Sequence, residues 1–161
     1  MLFRYLLLLL LLLPVKTFAL IEVDITRGNL NPLPIAISPL SIDDNSKKGF
    51  KKKVKIEDLG VEISTVVENN LRQSGLFNPL NKDAFLQKAD IANLKPRFED
   101  WNLIKAQALV TGKVTFVEEK LRVEFRLWDV LAGKEMMALA FTTVPSNWRR
   151  VGHIITDKVY E

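Results

Sequence analysis

The sequence contains no cysteine and only one histidine, and its seven glycines and seven prolines are scattered. Without cysteine there is no disulfide, no thiolate metal site and no lipid-bearing N-terminal cysteine. His153 stands alone: no second histidine and no acid cluster is spaced to share a metal ion with it. Nucleophile elbows and glycine-rich phosphate loops are also missing. Paired acids do occur, at Asp43-Asp44, Glu57-Asp58, Glu99-Asp100 and Glu118-Glu119. Each pair is adjacent in sequence on a loop or element end, where solvation or capping explains it. No catalytic residue, metal or cofactor is therefore expected. His153 falls away from the apolar stripe of its segment and reads as a surface or packing residue.

Long hydrophobic runs are scarce as well. The longest, Leu6 to Leu13, is far short of the roughly 20 apolar residues that a membrane-spanning helix needs. Arg4 precedes it, Pro14 ends it, and Thr17-Phe18-Ala19 follows with small residues where a signal peptidase reads. This tripartite pattern predicts a leader over residues 1–19, cut between Ala19 and Leu20, rather than an anchor. The product of a bacterial-style leader with no cysteine is expected in the periplasm, exported and soluble. Its loss also changes the charge. The 23 basic and 19 acidic residues of the whole chain become 21 and 19 once Arg4 and Lys16 are gone. That balance gives no reason to expect nucleic acid as a partner. The remaining 142 residues suit one domain with one core.

What is present reads as alternating strands and helices. In Leu20–Arg27, Ile21, Val23 and Ile25 alternate with Glu22 and Asp24, which is strand chemistry at a chain terminus: an edge strand or a loose arm. Ile35 to Leu40 suits a short buried strand limited by Pro39. Ser41 to Lys55 is polar, and its Lys47, Lys48, Lys51, Lys52, Lys53 and Lys55 form either a solvated loop or a surface for phosphate or anionic lipid. A helix is predicted over 56–74, with Leu59, Ile63, Val66, Val67 and Leu71 on one face and Gly75 as its C′ residue. An extended segment follows at Leu76–Leu80, then a turn or short helix at Asp83–Ala89 and a helix over Phe98–Lys105 that carries Trp101 and Ile104. Ala108–Val117, Leu121–Leu127 and Met136–Val144 read as three strands joined by hairpins. Trp128 breaks the alternation and either covers the outer sheet face or marks an exposed contact. Ser146 or Asn147 is the expected cap of a last helix with Trp148, Val151, Ile155 and Val159 as its stripe. The fold class is accordingly α/β (α+β): a mixed sheet of about five strands with helices packed on it, and a C-terminal three-strand meander followed by a helix.

Several blocks together resemble a known family. Leu33-Pro34-Ile35-Ala36-Ile37-Ser38-Pro39 is similar to the Pro-Ile-x-x-x-Pro strand of the TolB translocation proteins. Asp58-Leu59-Gly60 and Leu71-Arg72-Gln73-Ser74-Gly75-Leu76-Phe77-Asn78-Pro79-Leu80 resemble that family's helix start and its Leu-Arg-x-Ser-Gly-x-Phe-x-Pro segment. Ala108–Val114, Trp148–His153 and Asp157–Glu161 continue the match in order, so that nearly all of the chain after the leader is covered. One departure is the lysine-rich stretch over 46–55, longer and more basic than the family usually carries.

The resemblance implies an N-terminal α/β domain, 32–161, cut before a β-propeller, and an arm over 20–31. In the family, the arm binds the C-terminal domain of TolA and the propeller binds the lipoprotein Pal. Carried over by position, the TolA-binding residues are Leu20, Ile21, Glu22, Val23, Asp24, Ile25 and Thr26. Their alternation independently suits strand addition to an exposed sheet edge. Pal is expected as a partner only where the propeller is present. The implied role is a non-catalytic periplasmic adaptor of the Tol–Pal envelope system, which serves outer-membrane integrity and constriction at division. The rival is a free-standing module that uses the lysine loop for anionic lipid or glycan phosphate. A hydrolase stands far behind both.

Overall fold

A computed structural model describes residues 31–47, 58–89 and 95–161. In chain order these form β1 (Leu33–Ile37), β2 (Ser41–Ile42), α1 (Asp44–Lys47), α2 (Leu59–Gln73), β3 (Phe77–Pro79), a 3-10 turn at Lys82–Ala84, and α3 (Phe98–Leu103). The meander β4 (Ala108–Val117), β5 (Lys120–Asp129) and β6 (Lys134–Thr143) follows, then a 3-10 turn at Pro145–Asn147 and α4 (Trp148–Tyr160). The sheet runs β3-β1-β4-β5-β6, with β2 added to β4 beyond the end of β1. β1 is parallel to both β3 and β4, and the meander is antiparallel. The expected mixed sheet and meander are present, with six strands rather than about five.

The strict alternation of β5 decides the two faces. Leu121, Val123, Phe125 and Leu127 point to the side covered by α2 and α4, where they join Ile35, Ile37, Val110 and Val114. Leu59, Ile63, Val67 and Leu71 of α2 are each fully buried on that side. A helix of this length is marginal alone. Burial of roughly 1.5–3 kcal/mol per side chain therefore holds it. Gly75 takes φ +72° just past its end, as the predicted C′ residue should.

On the opposite face a smaller core gathers Ala36, Trp101, Ala106, Leu109, Trp128 and Val130. Trp128 packs here: its indole N–H donates to Thr111 Oγ1 at 2.9 Å, and Phe98 meets its ring edge-on. Trp101 donates to Gln87 Oε1 at 2.8 Å. Beyond these aromatics the second face opens onto Arg122, Glu124 and Arg126.

Three local expectations are corrected. Part of the polar stretch after Pro39 is ordered as β2 and α1, because Ser41 and Ile42 lie parallel to Lys113 and Val114. The helix carrying Trp101 ends at Leu103, and Lys105 takes φ 62° beyond it. Neither Ser146 nor Asn147 caps α4 with a side-chain hydrogen bond. Pro145 opens a 3-10 turn that leads into the helix instead, and its fixed φ suits a first-turn position.

α2 and α4 approach closely because Gly152 has no side chain. A Cβ there would lie 2.8 Å from Val66 Cγ1 and 2.9 Å from Val66 Cβ. Gly152→Ala should destabilise the fold by about 1–3 kcal/mol, and Val66→Ala in the same chain, which removes Cγ1 but keeps Cβ, should recover part of that loss in urea denaturation. Equal destabilisation with and without Val66→Ala would show that the seam is not limited by this contact.

Candidate interaction surfaces

The cleavage site Ala19/Leu20, the arm Leu20–Thr26 and lysines 48, 51, 52, 53 and 55 lie outside the described residues; Lys47 closes α1. The arm's point of attachment is described. Leu33 enters β1, which is paired on one side by β3 and on the other by β4.

His153 is exposed on α4. Its Nδ1 lies 2.9 Å from Asn70 Nδ2, and the same amide nitrogen donates to Thr156 Oγ1 at 3.2 Å. Thr156 in turn donates to the Gly152 carbonyl at 3.0 Å. The lone histidine thus belongs to the α2–α4 seam. Asn70, distant in sequence and set between Asn69 and the core residue Leu71, carried no signal of this pairing. Among the described residues no group of three or more histidines and acids could hold a metal ion.

Two of the acid pairs make local contacts in the fold. Asp43 accepts from the Asn45 backbone N–H at 3.1 Å at the start of α1 and pairs with Lys113 at 3.1 Å. The hydrogen bond and charge of Lys113 hold its carboxyl below the ordinary aspartate value. Asp100 pairs with Arg97 at 2.6 Å, and Glu118 takes φ 55° in the β4–β5 hairpin. Asp58 precedes α2 without a side-chain cap.

At the end of the sheet where β1 begins lies a mainly apolar pocket of about 250 Å³, lined by Leu33, Phe77, Leu127, Met136 and Val159 with Asp129 beside them. It offers shape and apolar surface but no cluster of groups for bond chemistry. No helix among the described residues is long and apolar enough to cross a membrane.

With the fold and these surfaces in place, comparison with known proteins is decisive. The family model for the TolB amino-terminal domain matches residues 21–136. The chain belongs to the TolB family. Over all 161 residues it is 84% identical to the Tol-Pal system protein TolB of Pelagibacter ubique (strain HTCC1062), and it spans 36% of that relative's length. The crystal structure of TolB from Acinetobacter baumannii shares the fold, with a TM-score of 0.60 and 22% identity over 80% of this chain and 27% of that one.

One of the charged contacts that join separate elements lies on α2. Glu68 of α2 accepts from Arg72 at 2.7 Å and pairs with Lys82 of the following 3-10 turn at 2.9 Å. Burial raises its pKa, but the hydrogen bonds and charges of Arg72 and Lys82 outweigh that, and the carboxyl sits below the ordinary 4.5. A depressed folded value means stability that is present above the unfolded pKa and lost as pH falls through the folded one. Acidification below about pH 4.5 should therefore lower the melting temperature more steeply in the wild type than in Glu68→Gln, followed by circular dichroism. Parallel curves would show that the pair contributes no stability.

Proposed function

We propose that this chain is the N-terminal part of a non-catalytic periplasmic adaptor of the Tol–Pal envelope system. Residues 1–19 act as the export leader, 20–31 form a partner-binding arm, and 32–161 form the domain that carries it. The observation that supports this best is the reach of the family match. It begins at Ile21 and so takes in the arm, while the identity of 84% extends over the whole chain.

In this reading, Leu20–Thr26 adds as a strand to an exposed sheet edge of the TolA C-terminal domain. Backbone hydrogen bonds supply affinity, Ile21, Val23 and Ile25 pack on the partner, and Glu22 and Asp24 set register and charge. The domain behind the arm supplies a rigid base, since Leu33 lies in a strand paired on both sides. Pal recognition is a property of the family's propeller and is not assigned to residues 20–161. The rival anionic-surface module, built on the lysine loop, has no observation to favour it over the family assignment.

Calorimetric titration with the TolA C-terminal domain tests the proposal, comparing the chain from Leu20 with a copy starting at Gly28. Binding should be present in the first and lost in the second. Equal binding by both would place the contact on the folded domain and overturn the arm's role.

A further inference from the structure

The two edges of the sheet are treated differently. β3 is three residues long and ends in Pro79, a blunted edge of the usual kind. β6 has ten residues and, after Lys134 and Glu135, runs to Thr143 without charge, glycine or proline. It pairs with β5 alone, and among the described residues its backbone makes no hydrogen bond outside that ladder. Its core-side row of Met137, Leu139 and Phe141 is only partly covered, with Leu139 37% exposed. Such an edge is a template for another strand.

The open face shows which strand fits. There the ladder register sets Ala138 beside Arg126 and Ala140 beside Glu124, over a shallow groove of about 160 Å³. Glu124 pairs with Arg122 at 2.9 Å and Arg126 with Glu135 at 3.5 Å, yet the two side chains keep 40% and 37% exposure.

We infer that β6 is a homotypic edge: a second copy of this chain adds its own β6 antiparallel to the first, about a twofold axis at Leu139. Leu139 then faces Leu139 of the second copy, Met137 faces Phe141, and Ala138 faces Ala140. The partly covered apolar row becomes continuous across the seam. On the open face the rank reads Glu124, Ala140, then Ala138 and Arg126 of the second copy. The twofold repeats it as Arg126, Ala138, then Ala140 and Glu124 of the second copy.

An acid of each copy thus shares a rank with a base of the other, twice. About 14 Å, three strand spacings, separates the two Cα atoms in each rank. The alanines between them form a floor over which both long side chains extend. Past the register shift at Met136, Lys134 and Glu135 fall near the uncharged Thr142–Val144 end of the second copy, so no like charges meet. Complementarity of this kind follows from β6 and β5 alone, which is why the occupant is a second copy and not an unrelated strand. The contact is isologous and closes on itself, leaving no further uncovered long edge among the described residues. It is independent of the arm and its partner.

Sedimentation velocity on the full chain, produced in an exporting host, from low to several hundred micromolar, reads the association. A reversible monomer–dimer equilibrium is expected. Leu139→Lys sets two ammonium groups opposite each other at the axis, on side chains already partly in solvent, and should raise the dissociation constant about a hundredfold. Glu124→Arg or Arg126→Glu alone should each raise it about tenfold, and the double exchange should restore it to within about threefold. Thermal melts identify any variant that fails to fold, and Leu139→Lys gives an answer that does not depend on the charge exchange. A monomer at every concentration overturns the inference. A dimer indifferent to Leu139→Lys, or one that the double exchange does not restore, overturns it equally.

Discussion

Leu40 is the residue on which the described sheet turns. Its carbonyl fills the space where a Cβ on Gly60 would stand, and its side chain lies 3.0 Å from where a Cβ on Gly112 would be. Its N–H donates back to the Gly60 carbonyl at 3.2 Å. Pro39, which has no N–H to give, breaks the strand just before it. The chain then returns to the same neighbour: Ser38 donates to the Val110 carbonyl at 3.0 Å and Asp43 to that of Val114 at 3.0 Å. β1 and β2 are thus two halves of one run along β4, interrupted where Leu40 inserts between strand and helix. The start of α2 is fixed on the sheet by the same contact, and the burial of Ile63, Val67 and Leu71 follows from it.

This arrangement explains why some elements were legible and others were not. The alternation of β5 and the stripe of α2 report burial on a single face, which is a local property of the sequence. β2 is two residues long and exists only because β4 lies alongside it, which no local pattern encodes. The start of α4 went the other way: Ser146 and Asn147 have capping chemistry, but the geometry that Pro145 sets brings neither side chain onto the helix. His153 was legible as a surface or packing residue, while its partner Asn70 was not, because that contact depends on how closely Gly152 lets two distant helices approach. Trp128 was half legible. Its break in the alternation was visible, whereas its hydrogen bond to Thr111 needed the register of β4 against β5.

The domain separates its tasks by face and by end. One face is sealed by α2 and α4, and the other is closed by aromatics at one end and open and charged at the other. The end where β1 begins carries the apolar pocket, and the arm joins the domain at the same end, through Leu33. In the proposed adaptor the recognition element is therefore a short segment attached to a strand that cannot shift without disturbing both of its neighbours. Affinity for the partner and stability of the domain then rest on different residues.

The most direct test of that separation is amide chemical-shift mapping of the isotopically labelled chain titrated with the TolA C-terminal domain. The account predicts changes centred on Leu20–Thr26 that fade by Leu33, with the resonances of β4 and α2 unmoved. Changes centred on the lysines between 47 and 55, or on the sheet with the arm unaffected, would contradict it.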